Sequence, residues 1–154
     1  LSGQFKGQLQ SRILLGYSGA SRFSGSTNWE VMKRYIDGEG ETVARMGKIR
    51  QTAIAMYESL KREDFDHFAQ CLAEEWNNRK GLAEGVSTPG IETIFKSAEQ
   101  AGAVANKVCG AGGGGCFVSL VPDECKAAVG EAIIRNGGKI LNFAFTECGV
   151  QVIK

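Results

Sequence analysis

From Lys107 to Cys116 the sequence reads Lys-Val-Cys-Gly-Ala-Gly-Gly-Gly-Gly-Cys, so five of the six positions Gly110, Ala111, Gly112, Gly113, Gly114 and Gly115 have no side chain. Glycine loses more conformational freedom on folding than any other residue. A run this dense is therefore kept where the backbone must turn through positive φ or approach another group closely. Successive bare N–H groups can form a concave nest for anionic oxygens, so the partner this stretch suits is a phosphate. A wide glycine turn between two strands would use the same composition, and both readings stand at this point. Gly110, Gly112 and Gly115 satisfy G-x-G-x-x-G, but a dinucleotide fingerprint opens a helix, whereas Cys116 to Val121 reads as a strand closed by Pro122. Gly110 and Gly115 have the spacing of a Walker loop, yet Cys116 and Phe117 stand where that loop needs Lys and Ser or Thr.

Two other groups of residues have chemistry to offer. Tyr17 to Asn28 is rich in small polar residues; the hydroxyl of Ser24 and the amide of Asn28 suit sugar hydroxyls, and Arg22 suits bidentate contact with a substrate phosphate. Turn and cap bonds for Ser24 and Asn28, with Arg22 solvated, are the competing reading. Trp76, Arg79 and Lys80 share one helical face, either lining a substrate cleft or placing Trp76 in the core with both cations reaching water. His67, the single histidine, reads as a capping or solvated residue, and Cys109 and Cys116 as small packing residues. No side chain is assigned as catalytic and none as a metal ligand.

The elements that would carry these groups follow from hydrophobic period and punctuation. Leu1 to Gln10 is polar and leads onto a strand-like run, Arg12 to Tyr17, followed by a Gly/Ser loop over Ser18 to Ser26. Asn28 as cap begins a helix with the apolar stripe Trp29, Met32, Tyr35 and Ile36, stopped by Gly38. A second helix starts near Glu41 with Met46, Ile49, Ala53, Met56 and Leu60 facing the core. A third runs from the cap Asp64 to about Leu82 on the stripe Phe65, Phe68, Leu72 and Trp76, which Arg79 terminates. Thr88 and Pro89 open a fourth, ended by Gly102. Strands at Ala105 to Cys109 and Cys116 to Val121 flank the glycines. A helix from Pro122 and Asp123 then turns Ala128, Val129, Ala132 and Ile133 inward and stops at Asn136 to Gly138. Two strands, Lys139 to Phe145 and Val150 to Lys154, close the chain. The order predicts a single α+β domain over 1–154, a ferredoxin-like sandwich with an antiparallel sheet, one helix-covered face and additional helices.

Composition narrows the partners. The 154 residues suffice for a core without staples, and 18 Lys plus Arg against 17 Asp plus Glu give no field to draw nucleic acid or an anionic membrane. Five cysteines without a C-x-x-C pair point to reduced thiols in a cytoplasm rather than to zinc or a disulfide framework. No run approaches membrane-spanning length.

Lys107-Val-Cys-Gly-Ala-Gly-Gly-Gly-Gly-Cys-Phe117 resembles the third conserved motif of the GHMP kinases, the superfamily of galactokinase, homoserine kinase, mevalonate kinase and phosphomevalonate kinase. The resemblance covers nearly the whole chain, including Ile13 to Tyr17, the Ala-Glu-Gly-Val-Ser-Thr-Pro segment at Ala83 to Pro89, and the closing strands. It implies the carboxy-terminal domain of such an enzyme, with ATP and Mg2+ as cofactors and an amino-terminal kinase domain as partner. Residues Gly110 to Gly115 would pack against that domain's phosphate loop. The loop motif P-x-x-x-G-L-x-S-S and the family's catalytic carboxylate are not in this sequence, so the resemblance also implies a chain inactive alone. The Ser18 to Asn28 loop resembles the substrate loop of heptose phosphate kinases, implying a sugar or sugar phosphate met by Arg22, Ser24 and Asn28; Arg79, from its face beside Trp76, is a further candidate substrate contact. A homoserine or mevalonate kinase, and a ferredoxin-like ligand-binding or regulatory module without catalysis, are the alternatives. Oligomeric state is open, a homodimer included.

Overall fold

A computed structural model describes residues 1–20, 24–150 and 152. Eleven elements follow in the order α1 (Gly3–Ser11), β1 (Ile13–Tyr17), α2 (Ser24–Ile36), α3 (Thr42–Lys61), α4 (Phe65–Arg79), α5 (Pro89–Gln100), β2 (Ala105–Val108), β3 (Cys116–Leu120), a single 3-10 turn (Asp123–Cys125), α6 (Lys126–Arg135) and β4 (Lys139–Leu141). The strands form one antiparallel sheet in the order β2-β3-β1-β4, with Ile13 opposite Leu120, Tyr17 opposite Cys116, Val108 opposite Phe117 and Tyr17 opposite Lys139. Strands β1 and β2 are parallel with β3 between them, and β3 and β4 parallel with β1 between. These are the split βαβ units of a ferredoxin-like fold. No helix among the described residues is long and apolar enough to cross a membrane.

Side chains alternate across a sheet, and here the alternation builds two cores. Leu14, Phe117, Val108 and Val121 pack with Ile91, Ile94, Phe95 and Ala98 of α5 and Val129 and Ile133 of α6. Ile13, Val118, Leu120 and Ala105 pack with Phe65, Ala69 and Leu72 of α4, Phe5 and Leu9 of α1, and Met56 and Leu60 of α3. Helices therefore cover both faces, where the sequence predicted one. Phe117 is fully buried, edge-on to Phe95, which is edge-on to Trp76. Gly16 lies against that ring, since a Cβ there would come within 2.3 Å of it.

Several boundaries match the expected signals. Asp64 caps α4 by accepting from His67 N at 3.0 Å, and Thr88 caps α5 with Pro89 in its first turn. Other expectations are corrected. The start is a helix, capped by Ser2 and anchored by Phe5 and Leu9 one turn apart, not a polar lead onto a strand. Helix α3 lies along α4, and its expected core-facing stripe is only partly buried. Its buried residues are Thr42, Thr52 and Ser59, small enough for close approach, while Ala53 is exposed and Met46, Ile49, Met56 and Leu60 are half-buried. Asn28 is not a cap but lies inside α2, and Ala128 is exposed. The strand expected at Lys139 to Phe145 ends at Leu141. Val150 is in no strand, and the rest of the expected last strand falls largely outside the described residues.

Candidate functional site at the glycine hairpin

Strands β2 and β3 end at a hairpin closed by the Cys109 amide donating to the Cys116 carbonyl at 2.8 Å. Between them Gly110, Gly112, Gly113, Gly114 and Gly115 all have positive φ. Two other loops meet this hairpin. The Gly113 amide donates to the Val86 carbonyl at 2.8 Å, which ties it to the 83–89 segment entering α5. The Gly115 amide donates to the Ala20 carbonyl at 2.7 Å while Ser18 N donates to the Gly115 carbonyl at 2.9 Å, which ties it to the loop after β1.

Close approach explains the missing side chains at two positions. A Cβ on Gly112 (φ 88°) would stand 2.4 Å from the Val86 carbonyl oxygen, and one on Gly114 2.8 Å from that of Ala20. At Gly110 (φ 77°) and Gly115 (φ 82°) nothing lies within 4 Å of such a Cβ. The hairpin is thus packed into the domain around Gly112 to Gly114, and Gly110, next to the closing Cys109–Cys116 bond, is exposed. The loop is a turn knitted into two neighbours, and it keeps an open side at Gly110 and Gly115. Beside it the 83–89 segment borders a hollow of about 440 Å³ lined by Glu84, Gly85, Ser87, Thr88 and Pro89.

Below the hairpin lies a charge cluster the sequence reading did not single out. Glu75 of α4 is 6% exposed. Its Oε1 accepts from Arg79 Nε at 2.6 Å, and its Oε2 lies 2.8 Å from Lys107 Nζ, an ionic contact rather than an aligned hydrogen bond. Lys107 leads from β2 into the hairpin, and Arg79 closes α4 just before the chain runs to Val86. One carboxylate therefore joins the roots of two of the three loops. The signal was an acid beside Trp76, in line with Leu72 and one turn before Arg79.

Arg79, expected to meet substrate, is thus held by Glu75. Trp76 is in the core, and Lys80 reaches Glu92 at 3.9 Å across a cleft of about 480 Å³ between α4 and α5. Asn28 is exposed on α2; Arg22 and the side chain of Ser24 lie outside the described residues. His67 donates its amide to Asp64, with Nδ1 3.1 Å from Arg62. Among the described residues there is no group of three or more His, Cys, Asp or Glu suited to a metal.

Cys109 is exposed, yet displacement of water by its surroundings pushes its thiol above the ordinary value. Cys116 opposite adds to this and Lys107 opposes it. A raised pKa means less thiolate near neutrality. Alkylation of Cys109 by iodoacetamide, followed by peptide mass spectrometry from pH 7 to 10, should be slower at pH 7.5 than that of an unstructured cysteine peptide. Its inflection should lie above the free-thiol value of about 8.5. Faster reaction with a lower inflection would refute this.

A four-stranded split βαβ sheet carrying a pinned glycine hairpin is the architecture found here, and the family model described as GHMP kinases C terminal matches residues 56–139. The chain belongs to that family. Over 144 residues it is 33% identical to the D-glycero-alpha-D-manno-heptose 7-phosphate kinase of Campylobacter jejuni subsp. jejuni serotype O:2, covering 94% of this chain and 42% of that protein. It is also 33% identical over 152 residues to the mevalonate kinase of Thermococcus sibiricus, covering 91% of this chain and 43% of that protein. The crystal structure of Streptococcus pneumoniae phosphomevalonate kinase superimposes with a TM-score of 0.71 at 15% identity, over 84% of this chain and 38% of that one, a likeness of fold. The chain spans about two fifths of the length of the curated relatives it matches.

Proposed function

We propose that this chain is the carboxy-terminal half of an ATP-dependent kinase acting on a sugar or sugar phosphate. The observation that supports this best is the three-loop junction: the hairpin Gly110 to Gly115 is held by Val86 and Ala20 on one side and open at Gly110 on the other. Ser18 and Ala20, at the start of the Ser18 to Asn28 segment that the substrate would meet, bond directly to the hairpin that would meet the nucleotide. ATP with Mg2+ would supply the phosphoryl group and neutralise its charge. The main phosphate loop, the metal ligands and any catalytic carboxylate would come from an amino-terminal domain. Within this chain the exposed Gly110 and the half-buried Ala111 would close one side of the nucleotide site, and Arg22, Ser24 and Asn28 would orient the acceptor. The Glu75 cluster would hold Arg79 and Lys107 in place behind them. Mevalonate kinases match at similar identity and make mevalonate the second substrate to try.

The test is a coupled ADP-release assay on the longer polypeptide with heptose 7-phosphate, heptose 1-phosphate, galactose and mevalonate. Turnover with a sugar or sugar phosphate and none by the 154-residue chain is the expected result. Turnover with mevalonate alone refutes the sugar reading, and no turnover with any acceptor refutes the kinase. Arg22→Ala should raise the KM for a phosphorylated sugar about tenfold, roughly 1.4 kcal/mol, while leaving the KM for ATP within twofold. Unchanged sugar kinetics would remove Arg22 from the site.

A further inference from the structure

Helix α2 carries its apolar stripe on the wrong side for a helix that belongs only to this domain. Trp29, Met32 and Ile36, at spacings of three and four, are 64%, 53% and 75% exposed, and Tyr35 beside them is 48% exposed. The opposite side, with Thr27 buried and Glu30, Val31 and Arg34 half-buried, leans on α3. Glu30 and Arg34 pair on that side at 2.8 Å with side chains 43% and 36% exposed, so the helix leaves its largest apolar groups more open to water than its ion pair. An apolar groove of about 200 Å³ between Val31, Met32, Tyr35, Ile36 and Met46 continues the stripe onto α3. Scattered apolar residues on a surface need no explanation, but a helical stripe facing water with a groove alongside marks an interface.

We infer that this stripe is the docking surface for the part of the longer polypeptide that lies outside this chain; the inference rests on the kinase reading for the existence of that part. More than half of each matched relative's length falls outside the match, so there is enough chain to cover the stripe. Position favours it as well. Helix α2 follows the loop whose Ala20 carbonyl takes the Gly115 amide, so whatever covers α2 sits beside the glycine hairpin. Area argues against a second copy. Four large side chains present on the order of 400 Å², about half of the roughly 800 Å² per partner of a stable free-standing interface. A tethered partner needs less, because the linker sets its effective concentration in the millimolar range.

Hydrogen exchange on the 154-residue chain and on the longer polypeptide tests this. Amides 29–36 should be protected at least tenfold more in the longer polypeptide. Trp29→Asp combined with Ile36→Asp should abolish the difference while leaving the melting temperature of the 154-residue chain unchanged, because both side chains are already in water. Equal exchange in both forms overturns the inference. So does sedimentation of the 154-residue chain as a dimer with α2 protected, which would make a second copy the occupant. Protection of α2 in a longer polypeptide that transfers no phosphoryl group would keep the interface and refute the activity.

Discussion

Gly112→Val should cost both stability and activity, and the two losses should share one cause. At φ 88° a β-carbon is strained by about 1–2 kcal/mol. In addition, that carbon would lie 2.4 Å from the Val86 carbonyl oxygen, so the 83–89 segment must retreat, and the bond from the Gly113 amide to that oxygen goes with it. The lost bond adds about 1 kcal/mol. A total near 3 kcal/mol corresponds to a melting temperature lower by about 6–12 °C for a domain of this size. In the longer polypeptide kcat/KM should fall more than tenfold, because displacing the hairpin moves the nucleotide side and the acceptor loop together. Gly110→Val is the control. It has a similar φ but nothing within 4 Å of its Cβ, so only the strain applies and the melting temperature should move by a few degrees. If Gly110→Val nonetheless abolishes turnover, the open side of the hairpin meets the nucleotide. If both variants keep wild-type activity per folded molecule, the hairpin is a turn and nothing more.

What the sequence made legible was punctuation. Asp64, Thr88 with Pro89, Gly102 and Asn136 to Gly138 each mark a helix end that the structure reproduces, because caps and positive-φ stops act within a few residues and need no tertiary partner. The glycine run was legible as a stretch of positive-φ backbone for the same local reason. Which face of a helix is buried was not, since that depends on the neighbour. The stripe on α3 was expected to face the core and is only half-buried there, because α3 lies along α4 and buries hydroxyls that bond to the backbone, Thr42 to the Leu82 carbonyl at 3.4 Å and Ser59 to that of Met56 at 2.7 Å. The stripe on α2 was correctly seen as apolar, but its pattern alone does not say that it faces water. Helix α1 was missed because its two anchors, Phe5 and Leu9, are diluted by polar residues, and only the second core, assembled from α4 and the sheet, gives them something to pack on.

Glu75 tests whether the junction is held from beneath. Glu75→Ala leaves Arg79 and Lys107 facing one another without their shared anion. Removing one partner of a buried ion pair costs about 3–5 kcal/mol. Here the cationic side chains keep 30% and 21% exposure and can swing toward water, so about 2 kcal/mol is the better expectation. That is a melting temperature lower by about 4–8 °C. Lys107→Met, by contrast, leaves Glu75 with Arg79 and should cost about 1 kcal/mol, so the acid should matter more than either cation. Salt separates charge from packing: 0.5 M NaCl should recover part of the Glu75→Ala loss by screening the two cations, and should recover none for a cavity. The functional consequence is spatial. With the carboxylate gone, the end of α4 and the end of β2 are no longer joined, and the segments they feed, the run to Val86 and the hairpin, lose their common root. Exchange of the Gly113 amide should therefore rise in Glu75→Ala, although that amide bonds to Val86 and not to Glu75. A variant that loses stability with Gly113 exchange unchanged relative to the global rate would confine Glu75 to the core and detach it from the site.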